Sequence, residues 1–467
     1  MLDFGSGLLR TKTCIRVDLQ NDRFSVNKSL QVAGNIQEKI NRHAVPNVEK
    51  SACNLDYPIR KEHYSFMIKR IRSDQLQPGM YIHDLNCGWM EHPFAFNSFK
   101  VDDEKTIAKI IASGIRVLYI DSIKGLDVSD AQTHDEFHAE LHDQVTKLAG
   151  NHVVKPHLPV PLKEEVVQAK VVHAEAHNVV HHLMSDIRMG KQIEIAKMSP
   201  VVENITDSIF RNKDAFISLS RIKKKDEYTF QHSVSVCALL VAFCRTMEYE
   251  KAVIMEAGTG GLLHDIGKMK VPDFILNKPG PLSDSEFVNM KSHAAIGREI
   301  LNQTPGVPEI AIMITGQHHE RFDGTGYPDK LQKDEISLLG QMVAIVDVYD
   351  ALTSNRVYHK GMEPTAVLKK LFEWGKFHFN PELVEHFICL IGIYPVGTLV
   401  KLESSLLAVV VNPGHESLLR PTVRTVFDIK REYPVTPQDI DLSIQRSDSI
   451  VQYESPEKWG IDPFKFL

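Results

Sequence analysis

Between about residues 200 and 395 the chain is patterned as a series of amphipathic helices, with apolar residues returning every three or four positions. Asp226–Met247 is expected to be one helix, with Val236, Leu239, Leu240 and Phe243 turned to a core and His232 one turn before Val236 on the same side. Lys251–Leu263 is a second, mostly apolar, helix. It runs into Gly261-Leu-Leu-His264-Asp265-Ile-Gly-Lys268, with Lys268 expected one turn beyond His264 on the same helix. Ser283 and Glu286 have the spacing of a capping box, and the helix they start carries Phe287, Met290, Gly297 and Ile300 on one face with His293 beside them. Glu309–Gln317 delivers His318 and His319, and in Gln341–Thr353 Asp347 interrupts Val343-Ala-Ile-Val346.

Outside this region the pattern changes. Residues 1–64 carry no usable periodicity. Residues 65–127 read as a small α+β domain, with strands at Phe66–Ile71 and Met80–His83 around a turn at Pro78-Gly79, a helix Val101–Ser113 stopped by Gly114, and a strand Ile115–Ile120. Residues 128–199 read as a helical linker broken near 151–161 by Pro156, Pro159 and Pro161. Domain 200–395 follows. Beyond Pro395 the period becomes two, and Thr398–Leu402, Leu406–Val411 and Thr422–Asp428 are expected strands of a small β extension over 396–467. The predicted class is therefore mainly α, with a small α+β domain before the helical one and a β tail after it.

Composition narrows the function classes. The 467 residues are 43% hydrophobic and 24% charged with a net charge of −6, which disfavours a general nucleic-acid binder. There is no stretch of apolar residues of membrane-spanning length and no signal-peptide core, so a cytoplasmic protein is expected. The six cysteines form no close pair, which suits reduced thiols. Histidine is the outlier, at 22. His134, His138 and His142 share one helical stripe, as do His173, His177 and His181. Acids and lysines surround both stripes, so each is read as a solvated polar face and not as a metal site.

The histidines inside apolar helices are different, because an unpaired polar group there is costly. His232, His264, His293, His318 and His319 with Asp265 and Asp347 make a first shell for two metals. Imidazole and carboxylate donors without cysteine suit iron, manganese or zinc. Asp265 is the candidate bridge between the cations, and a hydroxide shared by them would attack phosphorus at neutral pH. Lys268 is placed to neutralise charge on phosphoryl oxygens. Arg321 and Arg356 offer planar forks to phosphates or bases, and Tyr327, in the loop Asp323-Gly324-Thr-Gly326-Tyr327-Pro328, offers a ring to a base or a partner.

The ordered series His232, His264-Asp265-Ile-Gly-Lys268, Lys291-Ser-His293, His318-His319-Glu320-Arg321-Phe-Asp323-Gly324-Thr-Gly326-Tyr327-Pro328 and Val346-Asp347-Val-Tyr-Asp350-Ala-Leu-Thr353 closely resembles the HD-GYP family. Ile275-Leu-Asn-Lys278-Pro-Gly280 and His378-Phe-Asn380-Pro381 do so too, and residues 65–127 resemble a small domain of unassigned function often found before it. The resemblance implies an all-helical HD-superfamily phosphohydrolase that hydrolyses the bacterial messenger cyclic di-GMP to pGpG and GMP. It implies the seven metal ligands named above, catalytic roles for Asp265 and Lys268, and nucleotide contacts from Lys268, Arg321, Arg356 and Tyr327. It also implies Fe(II) or Mn(II) with no organic cofactor, and a Gly326-Tyr327-Pro328 loop that meets diguanylate cyclase domains. Tyr228 stands where relatives with a third metal carry a glutamate, so two metals are expected; His359 stands where a basic residue usually follows in the substrate loop. No nucleic-acid or membrane partner is expected, and a homodimer is compatible with the helices at 128–199. Two other readings stay open: a phosphodiesterase for 3′,3′-cyclic GMP-AMP, and a receptor that binds a cyclic dinucleotide or a partner without turnover.

Overall fold

The computed structural model describes residues 67–467 apart from 89–91, 93, 95, 152–158, 222–227, 279, 355–360 and 415–416. The expectations for residues 1–64 and for Arg356 therefore fall outside the described residues.

The N-terminal module is a four-stranded antiparallel sheet, β1 (Ile68–Arg72), β2 (Tyr81–Asp84), β3 (Phe99–Lys100) and β4 (Val117–Asp121), with helix α1 (Glu104–Ala112). Its order is β1-β4-β2-β3. β1 and β2 therefore do not pair around Pro78-Gly79. β4 lies between them, pairing Ile71 with Leu118 and Ile82 with Ile120. The reason lies in β4 itself: all five residues of Val-Leu-Tyr-Ile-Asp are buried, as a strand covered on both faces and both edges requires.

Next come α2 (His134–Asn151) and α3 (Leu162–Arg188). The stretch expected as a linker does not bridge: α3 lies along α4 (Ser199–Ser220), with Val166, Ala169, Val172, Ala176, Val180, Met184 and Ile187 buried in the main core. Those residues recur every three or four positions, which is an apolar stripe of core type. Of the other helices, α5 (Tyr228–Thr246) and α6 (Lys251–Leu263) belong to this core, and α7 (Asp284–Lys291) sets Met290 in a small separate cluster with Val271 and Ile275. α8 (His293–Asn302), α9 (Glu309–Gln317), α10 (Leu338–Thr353), α11 (Pro364–Trp374) and α12 (Pro381–Ile391) belong to the main core again.

Two local expectations change. α6 stops at Leu263, and Lys268 sits on a separate 3₁₀ turn, Ile266–Lys270. The turn is forced by packing: a Cβ on Gly267 would meet the His293 carbonyl oxygen at 1.9 Å, so only glycine lets the two backbones touch. The helix begun by the Ser283–Glu286 capping box, present as predicted, is broken at Ser292. The break puts His293 at the start of α8.

The C-terminal sheet runs β10-β5-β6-β7-β8, with β9 pairing β7. It contains the expected strands β5 (Leu399–Leu402), β6 (Leu406–Asn412) and β7 (Thr422–Asp428), and adds β8 (Tyr433–Pro434), β9 (Asp439–Asp441) and β10 (Ile450–Tyr453). Alternation gives each face its own apolar cluster, Val400, Leu402 and Val410 on one and Leu399, Leu407 and Val409 on the other. Among the described residues no helix is long and apolar enough to cross a membrane.

The N-terminal sheet is docked on α11. The buried Glu373 carboxylate accepts hydrogen bonds from Arg70 Nε at 3.0 Å, Asn86 Nδ2 at 3.0 Å and the Tyr119 hydroxyl at 3.2 Å. Trp374 Nε1 donates to Asn86 Oδ1 at 3.2 Å. A buried carboxylate with one cation and two neutral donors is well compensated, whereas removing a donor would expose an unpaired charge to a dry site.

Candidate metal centre

His232 comes from α5, His264 and Asp265 from the end of α6, His293 from the start of α8, His318 and His319 from the end of α9, and Asp347 from α10. All are buried except His319, which is partly so. They form two sets, Asp265 with His293, His318 and His319, and His232 with His264 and Asp347, the donor atoms of each set lying within 4.8 Å of one another.

Asp265 faces both. Its Oδ1 lies 3.4 Å from His293 Nε2 and 3.8 Å from His318 Nε2. Its Oδ2 lies 3.4 Å from His264 Nε2 and 3.7 Å from His232 Nε2. Asp347 Oδ1 is 2.9 Å from His232 Nε2, and its Oδ2 is 3.9 Å from His319 Nδ1.

The other ring nitrogens fix the tautomers. Nδ1 of His264, His293 and His318 bonds the backbone carbonyls of Gly261, Met290 and Thr315 at 2.8, 2.7 and 2.8 Å. His232 Nδ1 bonds Asp350 Oδ2 at 2.6 Å. An acceptor at each Nδ1 makes that nitrogen the donor and leaves Nε2 as a lone pair aimed inward. His293 Nε2 and His318 Nε2 then face one another at 3.2 Å with no proton of their own to share. His264 Nε2 and Asp265 Oδ1 are buried with no hydrogen-bond partner among the described residues. Lone pairs converging in a dry site are unfavourable without a cation among them, so the residues fit divalent metal ions.

Protonation agrees with this at His293, His318, His319, Asp265 and Asp347, whereas at His264 burial opposes protonation but the Asp265 carboxylate beside it, with Asp347, raises the imidazole above its ordinary value. Burial pushes His293 down to about 4, with Lys268 acting in the same direction. Burial pushes His318 down to about 3 and holds His319 well below its ordinary value, neighbouring imidazoles adding to both. For Asp265, burial opposes ionisation, but the Lys268 ammonium and the imidazoles hold its carboxyl well below the usual range. Asp347 is likewise held low against burial, by His232 first. Neutral imidazoles and ionised carboxylates are the metal-binding forms.

Lys268 reaches the site from its 3₁₀ turn, Nζ lying 2.6 Å from Asp265 Oδ2. The loop after His319 is held by Glu320, 2% exposed, which accepts from the backbone N–H groups of Asp329, Lys330 and Leu331. A Cβ on Gly326 would meet Arg321 N at 2.4 Å, so this turn needs glycine. Tyr327 lies against His319, ring centroids 4.7 Å apart, with Lys291 Nζ 5.0 Å from its own centroid. The Tyr327-Pro328 peptide is cis. Arg321 turns elsewhere: its Nη1 would be 3.0 Å from a Cβ on Gly114, against the N-terminal module, where Arg116 pairs with Asp323 at 3.3 Å.

Two contributors were missed by sequence reasoning. Asp350 orients His232, and it shows in the sequence only as a member of the Val346–Thr353 stretch, three residues after Asp347, with no role attached. Glu320 closes the loop, and it was visible only as a glutamate adjoining paired histidines.

Fold and site together define a helical, divalent-metal-binding domain. The HD domain family matches residues 207–383, and a domain of unknown function, DUF3391, matches 68–198. The chain is 40% identical to cyclic di-GMP phosphodiesterase PA4108 of Pseudomonas aeruginosa over 396 residues, covering 84% of this chain and 94% of that one. It is 30% identical to a cyclic di-GMP phosphodiesterase of Thermotoga maritima over 49% of this chain and 63% of the relative. It is 42% identical to 3′3′-cGAMP-specific phosphodiesterase 2 of Vibrio cholerae over 26% of this chain and 24% of that one. This chain belongs to the HD-GYP family.

Proposed function

We propose that this protein is a metal-dependent phosphodiesterase that hydrolyses cyclic di-GMP to pGpG, GMP or both. The observation that carries the reading is Asp265, whose two carboxylate oxygens face two separate sets of imidazoles, as a bridge between two cations must. Two cations held there, Fe(II) or Mn(II), supply Lewis acidity toward a phosphate and an acidified water at neutral pH. The Nδ1 contacts hold four imidazoles with Nε2 inward, the orientation in which they would hold the cations. Lys268 stands beside Asp265 to balance charge growing on the phosphoryl oxygens. Tyr327, half-buried over His319, and Arg356 contact the nucleotide; Arg321, turned to Gly114, is the contact that geometry supports least. The Gly326-Tyr327-Pro328 loop is also the surface offered to diguanylate cyclase domains, and the setting is the cytoplasm.

The Vibrio cholerae relatives keep 3′,3′-cyclic GMP-AMP as the second reading. The test is turnover under nitrogen by protein loaded with Fe(II) or with Mn(II), given each cyclic dinucleotide separately and its products resolved by chromatography. Linear dinucleotide or GMP from cyclic di-GMP supports the proposal. Turnover of the mixed nucleotide alone transfers it to the second reading. Retention of both with no product makes the protein a receptor. A ferrous centre adds a further outcome: air should depress the rate and a reductant restore it.

A further inference from the structure

A cavity of about 350 Å³ lies in the seam between the N-terminal module, the start of α2 and α11. That volume is within the range, on the order of 300–1,000 Å³, of small-molecule sites. None of the residues proposed for the metal centre lines it.

Its acids and its donors are unequally employed. Asp84 has Lys370 at 3.5 Å, and Glu373 is taken by Arg70, Asn86 and Tyr119. Glu363 stands exposed at the rim. Lys369 is partly buried and makes no hydrogen bond or ion pair with the described residues; the Glu363 charge acts on it only at longer range. The His138 nitrogens also have no hydrogen-bond partner among the described residues, while its ring stacks on Tyr119 at 6.2 Å and lies tilted against His134 at 4.0 Å. Burial pushes His138 down to about 4, with His134, Lys369 and Lys370 acting in the same direction. Burial also lowers Lys369. A cation and an imidazole drawn out of water without acceptors, beside flat rings, are under-satisfied until an anion enters.

We propose that this seam cavity is a second ligand site, taking a small organic anion of up to mononucleotide size. The phosphate or carboxylate of that anion lies against Lys369 and His138, and its remainder against the Tyr119 and His134 rings. The site is also placed to act on turnover. Met362, in its wall, donates its N–H to Leu352 O of α10, the helix that carries Asp347 and Asp350, at 2.8 Å. α11 then begins at Pro364. An occupant braces α11 against α10, so regulation is the expected consequence. That last step rests on the phosphodiesterase reading; binding itself does not.

The experiment is calorimetric titration of the full chain with GMP, inorganic phosphate and citrate, using metal-loaded wild type, chelator-stripped wild type, Lys369→Met and His138→Phe. Circular dichroism and metal content check each variant, and either one suffices if the other fails to fold. At least one probe should bind with a Kd at or below about 1 mM. It should still bind the stripped protein, and bind at least about tenfold more weakly to a folded variant, the loss expected of one charge-assisted hydrogen bond. Binding of GMP or phosphate identifies the phosphate source, and binding of citrate alone identifies the carboxylate source. The proposal is overturned if no probe binds, if binding is equal in wild type and variants, or if stripping the metals abolishes it, since the probes would then belong to the metal centre.

Discussion

His134, His138 and His142 follow one another at four-residue intervals along α2, as His173, His177 and His181 do along α3, whereas the imidazoles of the metal centre arrive from four separate helices. Spacing alone favours the stripes as ligands. The structure gives them other work. His134 and His138 pack on Tyr119. His173 lies 5.7 Å from the Phe216 ring, and His181 lies 4.6 Å from Phe230. Neither stripe gathers a metal-ready set among the described residues. His134, His138, His173 and His177 are thus partly buried against aromatic rings, whereas His142 and His181 stay exposed, as a solvated face requires. What separates the two groups is the rest of each ring. In the centre, Nδ1 of His232, His264, His293 and His318 is committed to a carbonyl or to Asp350 and Nε2 is buried facing carboxylates, while His319 turns Nδ1 toward Asp347, so each ring is oriented and short of a cation.

The largest break in that contrast is Asp265→Ala. It removes a carboxylate that faces two imidazoles of each set, so turnover should fall by at least about a thousandfold and the metal content should drop below two per chain by elemental analysis. Full metal content with full activity would remove Asp265 from the mechanism. Lys268→Met separates charge from coordination: kcat should fall by about a hundredfold while both metals stay, because the ammonium is no ligand. Asp350→Asn tests the commitment of Nδ1. The amide keeps the shape and loses the charge behind His232, so metal affinity should fall by about 10- to 100-fold, read by competition with a chelating dye. A structural role only would leave that affinity unchanged and lower Tm.

These residues were unequally legible in the chain. The helices carrying the ligands follow from apolar periodicity, and Glu309–Gln317 falls where the pattern puts it. The interruption of apolar runs by His and Asp marks the centre, since such burial is tolerable only where the groups are paired or ligate a cation. What escapes the sequence is decided by contact between distant segments. The break of α6 before Lys268 follows from the Gly267 backbone meeting His293. The break at Ser292 lies inside a run of continuous helical pattern. Asp350 meets a histidine 118 residues away. The position of β4 between β1 and β2 is set by burial of a whole strand, which no local turn signal reports. His378 and Asn380, in a motif that resembles a functional one, act in the scaffold: the His378 carbonyl accepts from Phe322 N, and Asn380 caps α12 and donates to Gln341 at 2.9 Å.

Acid sharpens the contrast on the side of the stripes. Burial, then His134 and the two lysines, push His138 down to about 4, whereas in the unfolded chain it should titrate near about 6.5. Between those values the unfolded state binds more protons, so this stabilisation is present in full above about pH 6.5 and is lost as pH falls toward about 4. His138→Gln should narrow the difference in Tm between pH 7.5 and pH 5, taken as typical assay conditions, by on the order of 2 °C, a small effect because the ring is only partly buried. An equal Tm difference in both proteins would mean that the imidazole titrates in the folded state as it does in the unfolded one.

The smallest expected effect is the most direct test of what spacing means. The double substitution His177→Ala and His181→Ala erases two-thirds of the α3 stripe, and a helix-borne metal site could not survive it. Because His181 contacts Phe230 and the buried side of α3 is made by Val172, Ala176, Val180 and Met184, the variant should fold, keep two metals per chain and turn over at an unchanged rate, with a modest loss of stability. Loss of one metal equivalent would place a cation on α3 and return the stripe to the ligand class. Retention of both would leave burial with a ring nitrogen turned toward Asp265 or Asp347, and not periodicity, as the feature that makes a histidine in this chain a ligand.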